Sequence, residues 1–108
     1  MTHDSGATEC EDIIAYVDAD LEDLVPGFLE NRQEDIRTIR EALKNNDYET
    51  IRILSHSMKG SGGGYGFDQV TNIGEALEQA AKDRNDEEIR KRVDELSNYL
   101  EHVQIVYE

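Results

Sequence analysis

The feature that most constrains this chain is a run of apolar residues near its C-terminus: Ile89, Val93, Leu96, Leu100, Val103 and Tyr107. The steps alternate between four and three, so all six fall on one face of a helix that packs on other helices. Similar stripes recur upstream. Phe28, Leu29, Ile36, Ile39 and Leu43 predict a helix from about Leu24 to Asn45, with Asp23 as its N-cap and Pro26 in its first turn, where a missing N–H does little harm. After the break at "NND" (45–47), Asp47 caps a helix carrying Tyr48, Ile51, Leu54 and Met58. Asp68 caps another, carrying Val70, Ile73, Leu77, Ala80 and Ala81, and "DRND" (83–86) turns into the last. The reading is all-α: an antiparallel four-helix bundle with short connections. "IIAYV" (13–17) finds no second strand to pair with and reads as a short N-terminal arm or helix on the bundle. Residues 1–12 form a polar tail, and 13–108 form one domain.

The chain has 108 residues, enough for one modest core. With 25 acidic and 11 basic residues, its net charge is −14, which argues against general binding to nucleic acid or to anionic membranes. No apolar run approaches membrane-spanning length, and the N-terminus lacks the basic-then-apolar order of a signal peptide. The single cysteine, Cys10, has no internal partner and reads as an incidental thiol. These features predict a cytoplasmic domain. A monomer is the default, because one bundle can bury every stripe found.

The stretch "LSHSMKGSGGGYGF" (54–67) does not fit plain bundle logic. Each glycine inside a helix costs about 1 kcal/mol relative to alanine. With Ile51 set at zero and steps of about 100°, Leu54, Met58, Gly62 and Tyr65 share the inward stripe. His56 falls about 140° away and points to solvent, accompanied by Arg52, Lys59, Gly60 and Gly63. Gly60 and Gly63 leave the surface beside the imidazole bare, so a bulky partner can reach the ring. Gly62 and Gly66 face nearer the core, where they suit close packing, and Gly66 also suits a helix C-cap. An exposed neutral imidazole beside a fixed cation suits a phosphoryl acceptor, with Lys59 at i+3 able to reach the oxygens of a group on the ring. No GxxxxGK[ST] loop is present, so the phosphoryl donor lies elsewhere.

The bland readings are a surface histidine at position 56 and a solvated lysine at position 59. For Arg52, a role toward phosphate or partner and a local surface pair both stay open. Lys82 reads first as surface charge, with a place near the site as the alternative, and Tyr65 and Phe67 read as core or rim. His3 lies in the tail and His102 on the outward side of the last helix. No HExxH or Glu-x-x-His pair supports a metal site.

The stretch resembles the signature of histidine-containing phosphotransfer (HPt) domains, roughly H-x-L-K-G-x5-G. It is met here by His56, Met58 in place of leucine, Lys59, Gly60 and Gly66. "DYETIRILSH" (47–56) is similar to the lead-in, and "IGEALEQAAK" (73–82) to the family's next helix, with its Leu77–Glu78 pair. The likeness covers residues 20–106. It implies a phosphorelay carrier on a four-helix bundle. His56 is then the phospho-acceptor at Nε2, exchanging with the aspartyl phosphate of a response-regulator receiver domain, and Lys59 stabilises the phosphoryl group. Gly60, Gly63 and Arg52 serve partner access and docking. It implies no autokinase activity, no cofactor or metal on this chain, magnesium on the receiver partner, and a receiver domain or sensor histidine kinase as partner. Two alternatives remain. One is a domain from a larger hybrid or chemotaxis-type kinase, against which Met1 favours an independent chain. The other is a non-catalytic module that docks on receivers.

Overall fold

The computed structural model describes residues 13–108. A strand, β1 (Ile14–Val17), leads into a 3₁₀ helix (Ala19–Leu24). Four helices follow: α1 (Val25–Lys44), α2 (Tyr48–Gly64), α3 (Asp68–Lys82) and α4 (Asp86–His102). A second strand, β2 (Gln104–Tyr107), comes last. Helix α1 packs on α2 and α4, and α3 packs on the same two, so the helices form a four-cornered bundle. Their connections span only 45–47, 65–67 and 83–85, which is the ground for the antiparallel order expected above. The inward residues are those the periodicity names: Phe28, Ile36, Ile39, Ile51, Met58, Val70, Ile73, Leu77, Ile89, Val93 and Leu96 are all buried.

The N-terminal segment corrects the sequence reading. "IIAYV" does have a partner, because β1 pairs in parallel with β2 in the register Ile14↔Gln104 to Val17↔Tyr107. The last helix stops at His102, and Val103 already has extended backbone. Val103 and Tyr107 therefore do not continue the helical seam. Alternation puts Ile105 and Tyr107 on the half-buried face of β2, while Ala15 and Val17 are buried on β1. Tyr99, unforeseen as core, is buried near the helix end.

Two caps also move. Asp23 lies inside the 3₁₀ helix, which Asp18 opens by accepting from the Asp20 amide at 2.9 Å. That helix runs straight into α1, so no extended residue is left for Asp23 to cap; Leu24 holds the N-cap position without a side-chain bond, and Pro26 sits in the first turn as expected. Asp68 is the first residue of α3, not its cap. The cap position falls to Phe67, whose ring is fully buried and stacks on Phe28 at 5.1 Å, with Tyr65 stacked on Phe28 at 4.5 Å. Asp47 caps α2 as read, accepting from the Thr50 amide at 3.2 Å.

The glycine-rich end of α2 closes with a Schellman arrangement. The Phe67 amide donates to the Gly62 carbonyl (2.9 Å) and the Gly66 amide to that of Gly63 (3.1 Å). Gly66 has φ of +90°, and a Cβ there would lie 2.6 Å from the Tyr16 carbonyl oxygen. Only glycine lets the chain turn here and still touch β1.

Candidate functional site

The site is built where α2 and α3 approach most closely. At Gly74 of α3, a Cβ would sit 2.8 Å from the Lys59 amide nitrogen and 3.0 Å from the Ser55 carbonyl oxygen. At Gly62 of α2, a Cβ would meet the Thr71 amide nitrogen at 2.8 Å. Glycine at both points lets the two backbones touch. Ser55 fits this narrow seam because it is small and bonds its own helix, its hydroxyl donating to the Ile51 carbonyl at 2.6 Å. The Thr71 hydroxyl then crosses the seam to donate to the Lys59 carbonyl at 3.0 Å.

His56 emerges one turn from this contact, its side chain 67 % exposed as the helical wheel requires. Its Nδ1 lies 3.1 Å from Oε2 of Glu78 on α3. The Glu78 side chain is only 10 % exposed, and Lys59 Nζ stands 3.5 Å from its Oε1, with Lys82 Nζ 4.0 Å from Oε2. Burial pushes the Glu78 carboxyl up. The His56 hydrogen bond and the nearby charges of Lys59, His56 and Lys82 outweigh it and hold the group below its usual range. Glu78 is thus a carboxylate and can only accept. When the ring is neutral, the Nδ1 contact therefore assigns its one proton to Nδ1 and leaves the lone pair on Nε2, away from Glu78.

The surface beside the ring is bare. A Cβ at Gly60 would meet nothing within 4 Å, and at Gly63 only the Thr71 hydroxyl at 3.6 Å. Ile53, one turn before His56, is 53 % exposed and gives the patch an apolar edge. Arg52 shares this side of α2, but its guanidinium is bonded to Glu49 three residues earlier. The structure thus gathers His56, Lys59, Gly60 and Gly63 on one face, adds Lys82 at its margin, and holds Arg52 in a local ion pair.

This constellation is an exposed imidazole held through Nδ1 by a carboxylate, a cation within a turn, and open approach. A family comparison then decides what kind of domain carries it: the sequence model described as the Hpt domain matches residues 23–105. The chain belongs to the Hpt domain family. No curated protein and no solved structure gave a match. Membership places this Hpt domain in the phosphotransfer of two-component signalling, where such domains meet receiver domains and kinases.

Sequence reasoning missed two contributors in this Hpt domain. Glu78 was seen only as half of a Leu-Glu pair, yet its carboxylate ties His56, Lys59 and Lys82 together. Its signal was its row on the helix, since Glu78 follows Gly74 by four residues and precedes Ala81 by three. An acid in a row of small residues faces a close neighbour and needs partners there. Ile53 was legible as an apolar residue off the buried stripe. His102 donates from Nδ1 to the Asn98 carbonyl at 2.8 Å, far from this chemistry in role. His3 and Cys10 lie outside the described residues. Among the described residues, no group of three or more His, Cys, Asp or Glu side chains could hold a metal ion, and no helix is long and apolar enough to cross a membrane.

Proposed function

We propose that this domain is a phosphorelay carrier in which Nε2 of His56 accepts a phosphoryl group from the aspartyl phosphate of a receiver domain and returns it to another. In the forward step the Nε2 lone pair forms the N–P bond, the acyl-phosphate P–O bond breaks, and the receiver's aspartate leaves as a carboxylate. Lys59 steadies the phosphoryl oxygens, and Glu78 keeps the ring proton on Nδ1 and offsets positive charge as it develops on the imidazole. Gly60, Gly63 and Ile53 form the surface on which the receiver's active site seats, and magnesium belongs to that partner. Arg52 serves the partner's charge only if it leaves Glu49. The observation that carries this reading is the Nδ1–Glu78 contact beneath an exposed ring. It aims the nucleophilic nitrogen outward.

The test is transfer from a receiver domain loaded with labelled aspartyl phosphate, run beside a His56→Gln variant. Acid-labile, base-stable label on the native chain and none on the variant is the expected result. Label on both chains would remove His56 from the chemistry. Docking of both chains without label on either would favour the non-catalytic docking module.

A further inference from the structure

Glu78 is approached by three side chains, and the third of them is held loosely. His56 Nδ1 lies 3.1 Å from its Oε2 and Lys59 Nζ 3.5 Å from its Oε1. Lys82 Nζ lies 4.0 Å from the same Oε2 that faces the ring. Lys82 stands four residues after Glu78, in the last turn of α3. Helical side chains lean toward the N-terminus, so its stem runs back over the acid. The ammonium is beyond hydrogen-bond range of the carboxylate, and the side chain is 53 % exposed. A pair that long and that exposed contributes little. A cation at a helix C-terminus is favourable in itself, which accounts for a lysine there. It does not account for the convergence of two lysines on one carboxylate. Lys59, Glu78 and Lys82 also line one polar recess, together with Asn72, Glu75 and Gln79.

Charge gives Lys82 its role. A phosphoryl group on Nε2 brings about two negative charges to a cluster that already holds one on Glu78. Lys59 offsets one of the three. The ring offsets a second, because Nδ1 keeps its proton against Glu78 while Nε2 is bound to phosphorus, which makes the imidazole a cation. Lys82 matches the third. We propose that Lys82 is a second phosphoryl-binding cation, which swings from Glu78 to the phosphoryl oxygens when His56 is loaded and returns when the group leaves. The inference rests on the phosphorelay reading above and extends it. Loading forms the Nε2–P bond and breaks the receiver's acyl-phosphate P–O bond, and the aspartate leaves as a carboxylate. Unloading reverses both, and the ring proton stays on Nδ1 throughout. Lys82 passes no proton; it relocates its charge. The phosphoryl group wins it from Glu78 because it carries about twice the charge and three strong acceptor oxygens. The charges that act on Glu78 are His56 and Lys59 from α2 and Lys82 from its own helix. Arg52 of α2 also feels Glu78, but Glu49 holds its guanidinium, so it stands behind Lys82 in this exchange.

The experiment loads the full chain with phosphoramidate, a small donor that needs no receiver, and follows the phosphohistidine by phosphorus NMR across pH. A nearby cation favours the dianion and lowers the pH at which the phosphoryl group takes up a proton. Lys82→Gln should therefore raise that midpoint by roughly half a pH unit, and Lys82→Arg should hold it near the native value. Lys91→Gln removes the same charge from an exposed position on α4 and should leave the midpoint in place. A Lys82 that served only the helix end would change the melting temperature and not the midpoint. An unmoved midpoint in Lys82→Gln would overturn the proposal. An equal rise in Lys91→Gln would do the same, since net charge alone would then explain it. A measurement on the native chain guards against misfolded variants: the side-chain resonances of Lys82 should shift on loading while those of Lys91 stay, and an unshifted Lys82 would also sink the idea. A native chain that takes no phosphoryl group on His56 would bring down the phosphorelay reading itself, and the missing phosphorus signal sets that failure apart from an unmoved midpoint.

Discussion

Between α2 and α3 the backbones nearly touch, whereas between α1 and α4 side chains hold the helices apart. The first seam is closed by Gly62 and Gly74, each set against a backbone atom of the other helix. The second leaves a groove of about 310 Å³ floored by Ile39, Leu43 and Val93 and rimmed by Arg40, Lys44, Arg90 and Asp94. The ion pair that crosses it among the described residues, Arg40–Asp94 at 3.0 Å, is exposed on both sides. The difference shows what the reactive residue needs. A seam closed by backbone contact fixes the position of α3 against α2, and with it the placing of Glu78 under His56. A seam of adaptable side chains suffices where nothing must be aimed.

The largest effect should come from closing the space at Gly74. In Gly74→Ala the new Cβ meets the Lys59 amide and the Ser55 carbonyl, and neither can move without shifting α2. Alanine's helix advantage of ~1 kcal/mol should be outweighed, for a net loss of about 1–3 kcal/mol, read from chemical denaturation. Transfer should fall with it. A fully stable, fully active variant would erase the contrast between the seams. Gly63→Arg should separate the two properties. Its Cβ finds only ordinary contact, so stability should stay within about 0.5 kcal/mol, while transfer from a receiver drops by roughly tenfold or more, about 1.4 kcal/mol in the barrier. Gly60→Ala sharpens the point with the opposite sign. That position opens onto free space, and the variant should gain up to about 1 kcal/mol of stability. If it lost stability instead, Gly60 would be serving packing.

A smaller effect concerns acid. The folded-state pKa of Glu78 is depressed, so its contribution to stability is present above the unfolded value near 4.5 and is lost as pH falls through the lowered folded value. Melting temperatures taken from about pH 6 down to about pH 3 should show a loss that Glu78→Gln reduces. An identical acid limb in both proteins would remove Glu78 from the linkage. The smallest change is expected at the open seam. Asp94→Asn breaks only an exposed pair and should cost less than ~1 kcal/mol.

Much of this was legible beforehand, because helical periodicity reports which way a side chain points. It put His56, Gly60 and Gly63 outside and Ile51, Met58 and Gly62 inside, and all six stand so. The strand pair was not legible. Val103 and Tyr107 fit the four-three spacing of a helix as well as they fit an alternating strand that includes Ile105, so periodicity alone could not choose. The choice is made by β1, about ninety residues earlier in the chain, and one-dimensional pattern carries no trace of that pairing. Glu78 was hidden for a related reason. Its partners sit on α2, and a wheel drawn for α3 alone shows an acid with nothing to bond but Lys82.

The parallel pairing of β1 with β2 also sets how the domain bears load. In this register a pull through Ile13 and a pull through Glu108 act on opposite ends of the ladder. Tension drawn along the chain then slides one strand past the other and strains all the ladder hydrogen bonds together, where an antiparallel pair pulled at one end would open bond by bond. The short sheet works as a shear clasp over the ends of the bundle, and α2, which carries His56, lies behind it.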